Sequence, residues 1–155
     1  MTYRIEGLAR ETYESLLGLG VDALAELGAR RVIADSKPGF PCRATLEDAE
    51  PGERLILFNY VSHDVRGPYR SAYAVYVRET AAGPASFFDE TPPVFGGRTL
   101  SMRGFDVDGD LRAALLSPAG QADATIRALF ERPGIAEIHV HNAAAGCFAA
   151  RIVRD

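Results

Sequence analysis

The C-terminal stretch 135–155, IAEIHVHNAAAGCFAARIVRD, restricts the fold more than any other part of the chain. From Ile135 to Asn142 apolar and polar residues alternate, as expected of a strand with one buried face. The second run, Phe148 to Val153, is rich in the apolar and β-branched residues that favour strands. Gly146 lies between the two runs, where glycine adopts the left-handed conformation of a hairpin loop without steric cost. The stretch therefore predicts a β-hairpin.

The register of this hairpin decides which side chains share a face. We expect a three-residue loop, Ala144 to Gly146, which places His141 opposite Ala149. Cys147 then lies on the same face as His139 and His141, with its backbone roughly 7–8 Å from that of His141. A loop longer or shorter by one residue moves the cysteine to the opposite face, because side chains alternate along a strand.

The rest of the chain predicts an α+β fold. Further strands are predicted at Thr2–Leu8 (as an edge strand), Arg31–Ala34, Arg54–Val61, Tyr69–Glu79, Arg98–Val107 and Leu111–Leu116, and 81–97 is predicted to be a loop. Helices are predicted at Arg10–Leu17, Asp22–Leu27 and Ala122–Arg132. No alternation of strand and helix is present. This order favours a mainly antiparallel sheet with short N-terminal helices and one helix before the C-terminal hairpin, in a single domain spanning 1–155.

Composition narrows the class of protein. With 155 residues, of which 47% are hydrophobic, the chain can bury a substantial core. The net charge is −4 and no Lys/Arg cluster is present, so we expect no nucleic-acid partner. No apolar stretch is long enough to span a membrane, and the N-terminus lacks an apolar signal core. We therefore expect a cytoplasmic protein without a membrane partner, whose two cysteines are reduced.

The densest group of chemically active residues lies in the hairpin. A cysteine thiolate is a nucleophile, and a neighbouring imidazole can generate it. We therefore interpret Cys147 as a candidate nucleophile and His141 as its general base, with His139 as the second imidazole within reach. Asn142 is placed to orient a histidine, as the third member of such a set does. The amides around Gly146 form a candidate anion-binding nest.

Other interpretations use the same residues. One is a tetrahedral zinc site formed by Cys42, Cys147, His139 and His141, although no CxxC pair is present. Another is a disulfide or redox pair between Cys42 and Cys147. A third is a structural hairpin with an inert cysteine, since free cysteine behaves as a small hydrophobe. Our prediction assigns neither a metal nor a cofactor. His63, alone in a polar loop, is predicted to be solvated.

A ligand site is also predicted near the hairpin. Arginine recognises carboxylates and phosphates through paired hydrogen bonds, and several arginines are candidates for this role. The predicted ligand-binding residues are Cys42, Arg43, Tyr69, Arg70 and Gly146, with Arg103 as a further candidate. The alternative is that these arginines form ordinary surface ion pairs with nearby acids.

Several stretches carry a resemblance to a known family. They are GARRVIADSKPGFPCR at 28–43, LEDAEPGERLIL at 46–57, GPYR at 67–70, VRE at 77–79, LSMRGFD at 100–106 and IHVHNAAAGCFAARIVR at 138–154. Through them the chain resembles the bacterial domain-of-unknown-function family 1203, most specifically in Pro-Cys-Arg and His-Asn-x-x-x-Gly-Cys. The family usually has Gly-Pro-Ile-Phe where this chain has Tyr-Ala-Val-Tyr at 73–76. The resemblance implies a single complete domain and no assigned activity.

Two functions from different classes follow from these residues. The first is a small-molecule-binding domain that carries out thiol-dependent acyl or group transfer with Cys147 as the nucleophile. The second is a non-catalytic binding or dimerising module, in which a homodimer forms through the structural hairpin. The two differ in whether the Cys147 sulfur lies in an open cleft.

Overall fold

The computed structural model describes all 155 residues and consists of two antiparallel sheets and two α-helices. The strands are β1 (Tyr3–Glu6), β2 (Arg30–Ile33), β3 (Arg54–His63), β4 (Ser71–Arg78), β5 (Ser86–Phe88), β6 (Leu100–Phe105), β7 (Leu111–Ser117), β8 (Glu137–Asn142) and β9 (Phe148–Arg154). The helices are α1 (Val21–Glu26) and α2 (Ala122–Phe130), and short 3-10 helices lie at Arg10–Thr12, Glu14–Leu16 and Pro93–Phe95.

The larger sheet has six strands in the order β5-β1-β9-β8-β6-β7. The prediction of an edge strand at the N-terminus is wrong in its position, because β1 lies inside this sheet between β5 and β9. Strand β5 itself lies within 81–97, which the sequence predicts as a loop. Its three residues are too few to show an alternating pattern, and pairing with β1 alone defines it as a strand.

Helix α2 covers one face of the larger sheet. The apolar residues predicted at helical spacing, Ile126, Leu129 and Phe130, are all buried. They share one hydrophobic cluster with Met102 of β6 and Ile138 of β8. The predicted α+β class is confirmed, with mainly antiparallel strands and one helix before the C-terminal hairpin.

The smaller sheet, in the order β2-β3-β4, packs near the opposite face. Its buried residues Phe58 and Val75 belong to a second cluster that also includes Phe148 of β9. The Tyr60 ring contacts the Phe148 ring with centroids 5.6 Å apart, and the Tyr73 ring lies 4.9 Å from the His141 ring. The two sheets therefore meet at the C-terminal hairpin.

Of the two predicted N-terminal helices, the second forms with its predicted length, shifted by one residue, and the first does not form. In place of a helix over 10–17 there are two 3-10 turns, separated at Tyr13, whose φ of −132° is not helical. Helix α1 has six residues. No helix in the protein is long and apolar enough to cross a membrane.

The segment 39–49 is tied to both sheets by main-chain hydrogen bonds. The Arg43 amide donates to the carbonyl of Tyr76 in β4 at 2.9 Å, and the amide of Leu8, just after β1, donates to the Arg43 carbonyl at 2.8 Å. Cys42 forms a parallel bridge with Tyr76. These bonds place Arg43 beside the C-terminal hairpin.

Candidate functional site

An open pocket of about 620 Å³ lies where the hairpin loop of the larger sheet meets the smaller sheet. Its polar lining residues are Arg43, Arg98, Thr99, Asn142 and Cys147. Its apolar lining comes from Leu57, Ala74 and Tyr76 of the smaller sheet and from the alanines at 143–145. The volume is in the range of small-molecule sites.

The hairpin that contributes Cys147 has a register different from the expected one. Asn142 and Cys147 lie opposite each other at the base of the loop, since the main-chain amide of Asn142 donates to the main-chain carbonyl of Cys147 at 3.0 Å. His141 pairs with Phe148 instead of Ala149. The loop thus has four residues, 143–146, and this shift of one position turns the Cys147 and His141 side chains to opposite faces.

The predicted pairing of Cys147 with His141 as its general base is therefore wrong. The His141 Nδ1–H donates to the Gly146 carbonyl at 2.9 Å, and the ring packs against Tyr73 and Phe148. Burial lowers the pKa of His141 to about 4, although the bond to Gly146 acts in the opposite direction. His141 is thus a neutral imidazole in the core. It is held by the carbonyl of Gly146, the residue whose surrounding amides are predicted to form an anion-binding nest.

Asn142 provides a direct contact to the cysteine. Its Nδ2 donates a hydrogen bond to the Cys147 sulfur at 3.2 Å. The side-chain amide therefore contacts the thiol, whereas the sequence predicts that it orients a histidine. The side chains of Asn142 and Cys147 lie on one face because the two residues are opposite each other at the hairpin end. Cys147 is half-buried and not bonded to Cys42.

Arg43 is the second polar neighbour of Cys147. Its side chain is buried, with 3% of the residue exposed. The guanidinium donates to the main-chain carbonyls of Phe148 at 2.8 Å and Pro41 at 2.7 Å, but pairs with no carboxylate. Burial lowers the pKa of Arg43, and the charge of a Cys147 thiolate acts in the opposite direction. Arg43 and Cys147 thus line the same pocket with no carboxylate bound to the guanidinium.

Arg98, the other arginine of the pocket, is paired with a carboxylate, unlike Arg43. It donates to both carboxylate oxygens of Asp48, at 2.7 and 2.9 Å, and to the Val94 carbonyl. Burial alone would raise the pKa of Asp48, but Arg98 and the Gly39 amide lower it below its ordinary value. The pair fixes the segment 39–49 to the start of β6.

Breaking this pair is expected to alter stability in acid. A lowered carboxyl pKa stabilises the fold at pH values above about 4, and that contribution is lost as the pH falls further. Asp48→Asn should therefore reduce the free energy of unfolding at pH 7 by about 2 kcal/mol and flatten its decline between pH 5 and 3. Urea denaturation at each pH measures both effects. The exposed Glu26→Gln is the control, and equal behaviour of the two variants would contradict the role of the pair.

The other two histidines, like His141, do not line the pocket. His139 is buried and its Nε2 contacts Glu137 Oε1 at 2.8 Å. Burial lowers the pKa of His139, opposed by Glu137. His63 is also buried, with 5% exposed, and its Nε2 contacts the Gly109 carbonyl at 2.8 Å. The prediction of a solvated His63 is wrong, because β3 extends through His63 and a bulge before it redirects the chain.

Cys42 is enclosed in the second hydrophobic cluster and is fully buried. Its sulfur accepts the amides of Thr45 at 3.4 Å and Arg78 at 3.3 Å, which marks it as a structural thiol. It does not line the pocket, and it is not bonded to Cys147. The two cysteines are free, and the alternative of a disulfide between them does not hold. The four predicted zinc ligands are also divided among different surroundings, so that site does not form.

The remaining predicted ligand residues are dispersed. Arg70 pairs with Asp64 at 3.2 Å on the surface, and Tyr69 is 40% exposed beside Phe105. Arg103 donates to the Tyr73 hydroxyl at 3.1 Å. Of the predicted set, the structure brings Cys147, Asn142 and Arg43 together, and it leaves the others outside the pocket.

Several pocket residues were not predicted from the sequence. Leu57 and Tyr76 face each other across β3 and β4 and look like ordinary strand residues. Arg98 precedes β6 without any motif around it. Their approach to Cys147 depends on the packing of the two sheets, for which sequence spacing gives no signal.

Comparison with known proteins places the chain in a family. The family model described as a protein of unknown function, DUF1203, matches residues 39–154. The chain belongs to this family, which confirms the resemblance in its motifs. No curated protein and no solved structure matches the chain. The matched region includes Arg43, Asn142 and Cys147.

Proposed function

We propose that the domain binds a small molecule in this pocket and uses Cys147, as a thiolate, for acyl or group transfer. The observation that supports this most strongly is the position of Arg43, a buried guanidinium whose ionisable neighbour is a thiol instead of a carboxylate. A buried cation without an anionic partner is costly. A thiolate at Cys147, or an anionic group of a bound ligand, would offset that cost.

In this proposal Arg43 and Asn142 replace the histidine of the sequence hypothesis. A thiolate next to a cation needs no general base, because proximity to positive charge favours the reactive form. The Asn142 amide holds the sulfur at 3.2 Å. The neutral His141, on the other face, then supports the hairpin through its bond to Gly146.

The lining indicates what kind of molecule the pocket would accept. Leu57 and Tyr76 offer an apolar wall, while Arg43 offers hydrogen-bond donors to a carboxylate or phosphate. Ala144 and Ala145 line the same pocket, and their amides donate to no protein acceptor. A small acyl compound with an anionic group would satisfy both kinds of lining.

The proposed step conserves atoms and electrons. The Cys147 sulfur forms a bond to the acyl carbon, and the bond to the leaving group breaks, with its electron pair departing on that group. Negative charge that develops on the acyl oxygen is stabilised by nearby donors such as the Asn142 amide. Water or a second nucleophile then takes the acyl group, loses a proton to solvent and releases the thiolate.

Acylation by p-nitrophenyl acetate tests this proposal. We expect one acetyl group on Cys147 of the native protein, detected by intact mass and peptide mapping, with release of nitrophenolate. Cys147→Ser should carry no adduct, and Cys42→Ser should carry the same adduct as the wild type. Acetylation that is absent, or equally distributed over unrelated side chains, would contradict the proposal.

A non-catalytic anion-binding function is the second candidate, and the unpaired Arg43 supports it as well. Thermal shift with inorganic phosphate and small carboxylates distinguishes the two functions. Stabilisation that survives in Cys147→Ser but is lost in Arg43→Met, with no acyl adduct in the wild type, would favour simple binding. An adduct that depends on Cys147 would favour transfer.

A further inference from the structure

A second group of chemically active side chains lies on the face of β8 opposite to Cys147. Glu137 and His139 are two positions apart on this strand and therefore share a face. His63 approaches them from the end of β3 in the smaller sheet, with its ring 4.8 Å from the His139 ring and perpendicular to it. One ligand atom of each of the three residues lies within 4.8 Å of the others.

The outward atoms of this group are already bound. His63 Nε2 contacts the Gly109 carbonyl at 2.8 Å, so it carries the proton and leaves the Nδ1 lone pair free. Glu137 Oε2 accepts from the Arg151 Nε at 2.7 Å, which leaves Oε1 directed to the imidazoles. An imidazole N–H bound to a main-chain carbonyl is the arrangement that fixes metal-ligating histidines.

The inward atoms are close enough to share one ion. His139 Nε2 lies 2.8 Å from Glu137 Oε1, and His63 Nδ1 lies 4.0 Å from the same oxygen. Tetrahedral ligands bonded at about 2.0–2.2 Å to one ion lie about 3.3–3.6 Å apart. The 4.0 Å separation is too long for a hydrogen bond and exceeds that spacing by at most about 0.7 Å. The widest pair, within 4.8 Å, needs ring rotations that shorten it by about 1.2–1.5 Å.

Access to this group is available from one side. An open pocket of about 360 Å³ is lined by His63, Glu137, Gly109 and Arg151. The pocket gives an entry path and room for a water molecule or another ligand. Phe105 stacks on His63 and His139 from the protein interior, with centroids 4.2 and 4.8 Å away, which holds both rings in place.

From this geometry we propose that His63, Glu137 and His139 bind a divalent transition-metal ion such as Zn²⁺, with an open coordination position toward the pocket. Two imidazoles and one carboxylate are a ligand set of zinc and ferrous sites that keep such a position. This site is separate from the thiol pocket and differs from the cysteine-containing zinc set that the sequence suggested.

Titration calorimetry of the chelator-treated full chain with Zn²⁺ tests the site. We expect one ion per chain, a rise in melting temperature on adding Zn²⁺, and a visible absorption band when Co²⁺ replaces it. His63→Gln should weaken Zn²⁺ binding at least about a hundredfold, since it removes a ligand without touching the Glu137–Arg151 ion pair. His141→Gln, the matched buried histidine, should change the affinity less than about threefold.

The outcomes separate this site from the thiol pocket. Cys147→Ser should leave Zn²⁺ affinity unchanged, whether or not Cys147 is a nucleophile. Zn²⁺ binding that does not saturate below about 1 mM, that is equal in His63→Gln and the wild type, or that is lost in Cys147→Ser would overturn the proposal. Glu137→Gln removes the carboxylate ligand and should also weaken Zn²⁺ binding. If that variant does not fold, the comparison of His63→Gln with His141→Gln still decides the result.

Discussion

Replacing Arg43 by methionine is expected to slow the alkylation of Cys147 at pH 7 at least about tenfold. The substitution removes a buried cation next to the sulfur while keeping a similar side-chain length. In the proposed function the Cys147 thiolate then loses its electrostatic partner, and a thiolate is the form that reacts with iodoacetamide. A tenfold effect corresponds to about 1.4 kcal/mol of lost interaction. Rates are measured by peptide mass spectrometry after quenching.

Arg103→Met is the matched control for this prediction. Arg103 belongs to β6 and donates to Tyr73, on the face of the sheet away from the thiol. It should change the Cys147 rate less than about twofold, which tests whether the effect of Arg43 is local. Arg43 also bonds two main-chain carbonyls, so the rates are compared below the melting temperature of each variant. Equal rates in the wild type and in Arg43→Met would contradict the role of this cation.

Gly7→Ala is expected to destabilise the protein by at least about 3 kcal/mol. A Cβ at Gly7 would lie 1.9 Å from the Ala44 carbonyl oxygen, and this oxygen also accepts the Ala85 amide at 2.9 Å. Relief of the clash requires a backbone shift of the segment that carries Arg43. Chemical denaturation measures the loss of stability, and the Cys147 alkylation rate reports the displacement of Arg43.

Gly83→Ala provides the control for this substitution. Gly83 has no heavy atom within 4 Å of an added Cβ, and its φ lies outside the left-handed region. We expect a change of less than about 0.5 kcal/mol for this variant. A Gly7→Ala protein that is as stable as Gly83→Ala would show that the contact between the end of β1 and the segment 39–49 is looser than the structure describes.

The sequence predicts strands and the main helix where their hydrophobic pattern is long. Strand β3 is recognisable as a long apolar run, and helix α2 because its apolar residues repeat at helical spacing. Strand β5 and the internal position of β1 are not recognisable, since they depend on pairing between distant segments. The prediction of a helix over 10–17 is wrong because tertiary packing decides the local conformation there. Tyr13 and Leu16 are buried in a segment of two 3-10 turns.

The candidate site was predicted only in part. Cys147 and Asn142 follow from the hairpin, and Arg43 from its chemistry, but their approach depends on a loop one residue longer than expected. Because of this one-residue difference in loop length, the polar neighbours of the thiol are Arg43 and Asn142 and not the predicted His141. His63 and Glu137 come from different sheets, and no spacing in the sequence relates them. Local patterns thus identify the residue types of a site, and tertiary packing decides which of them meet.

The most direct test of a functional thiol in this pocket is the alkylation rate of Cys147 in the native wild-type protein. Both cysteines are labelled with iodoacetate at pH 7, in native buffer and in denaturing urea, and each peptide is followed by mass spectrometry. We predict that Cys147 reacts faster in the native protein than in the unfolded chain, while Cys42 reacts only after unfolding. Native Cys147 that reacts more slowly than unfolded Cys147, as Cys42 does, would contradict the account.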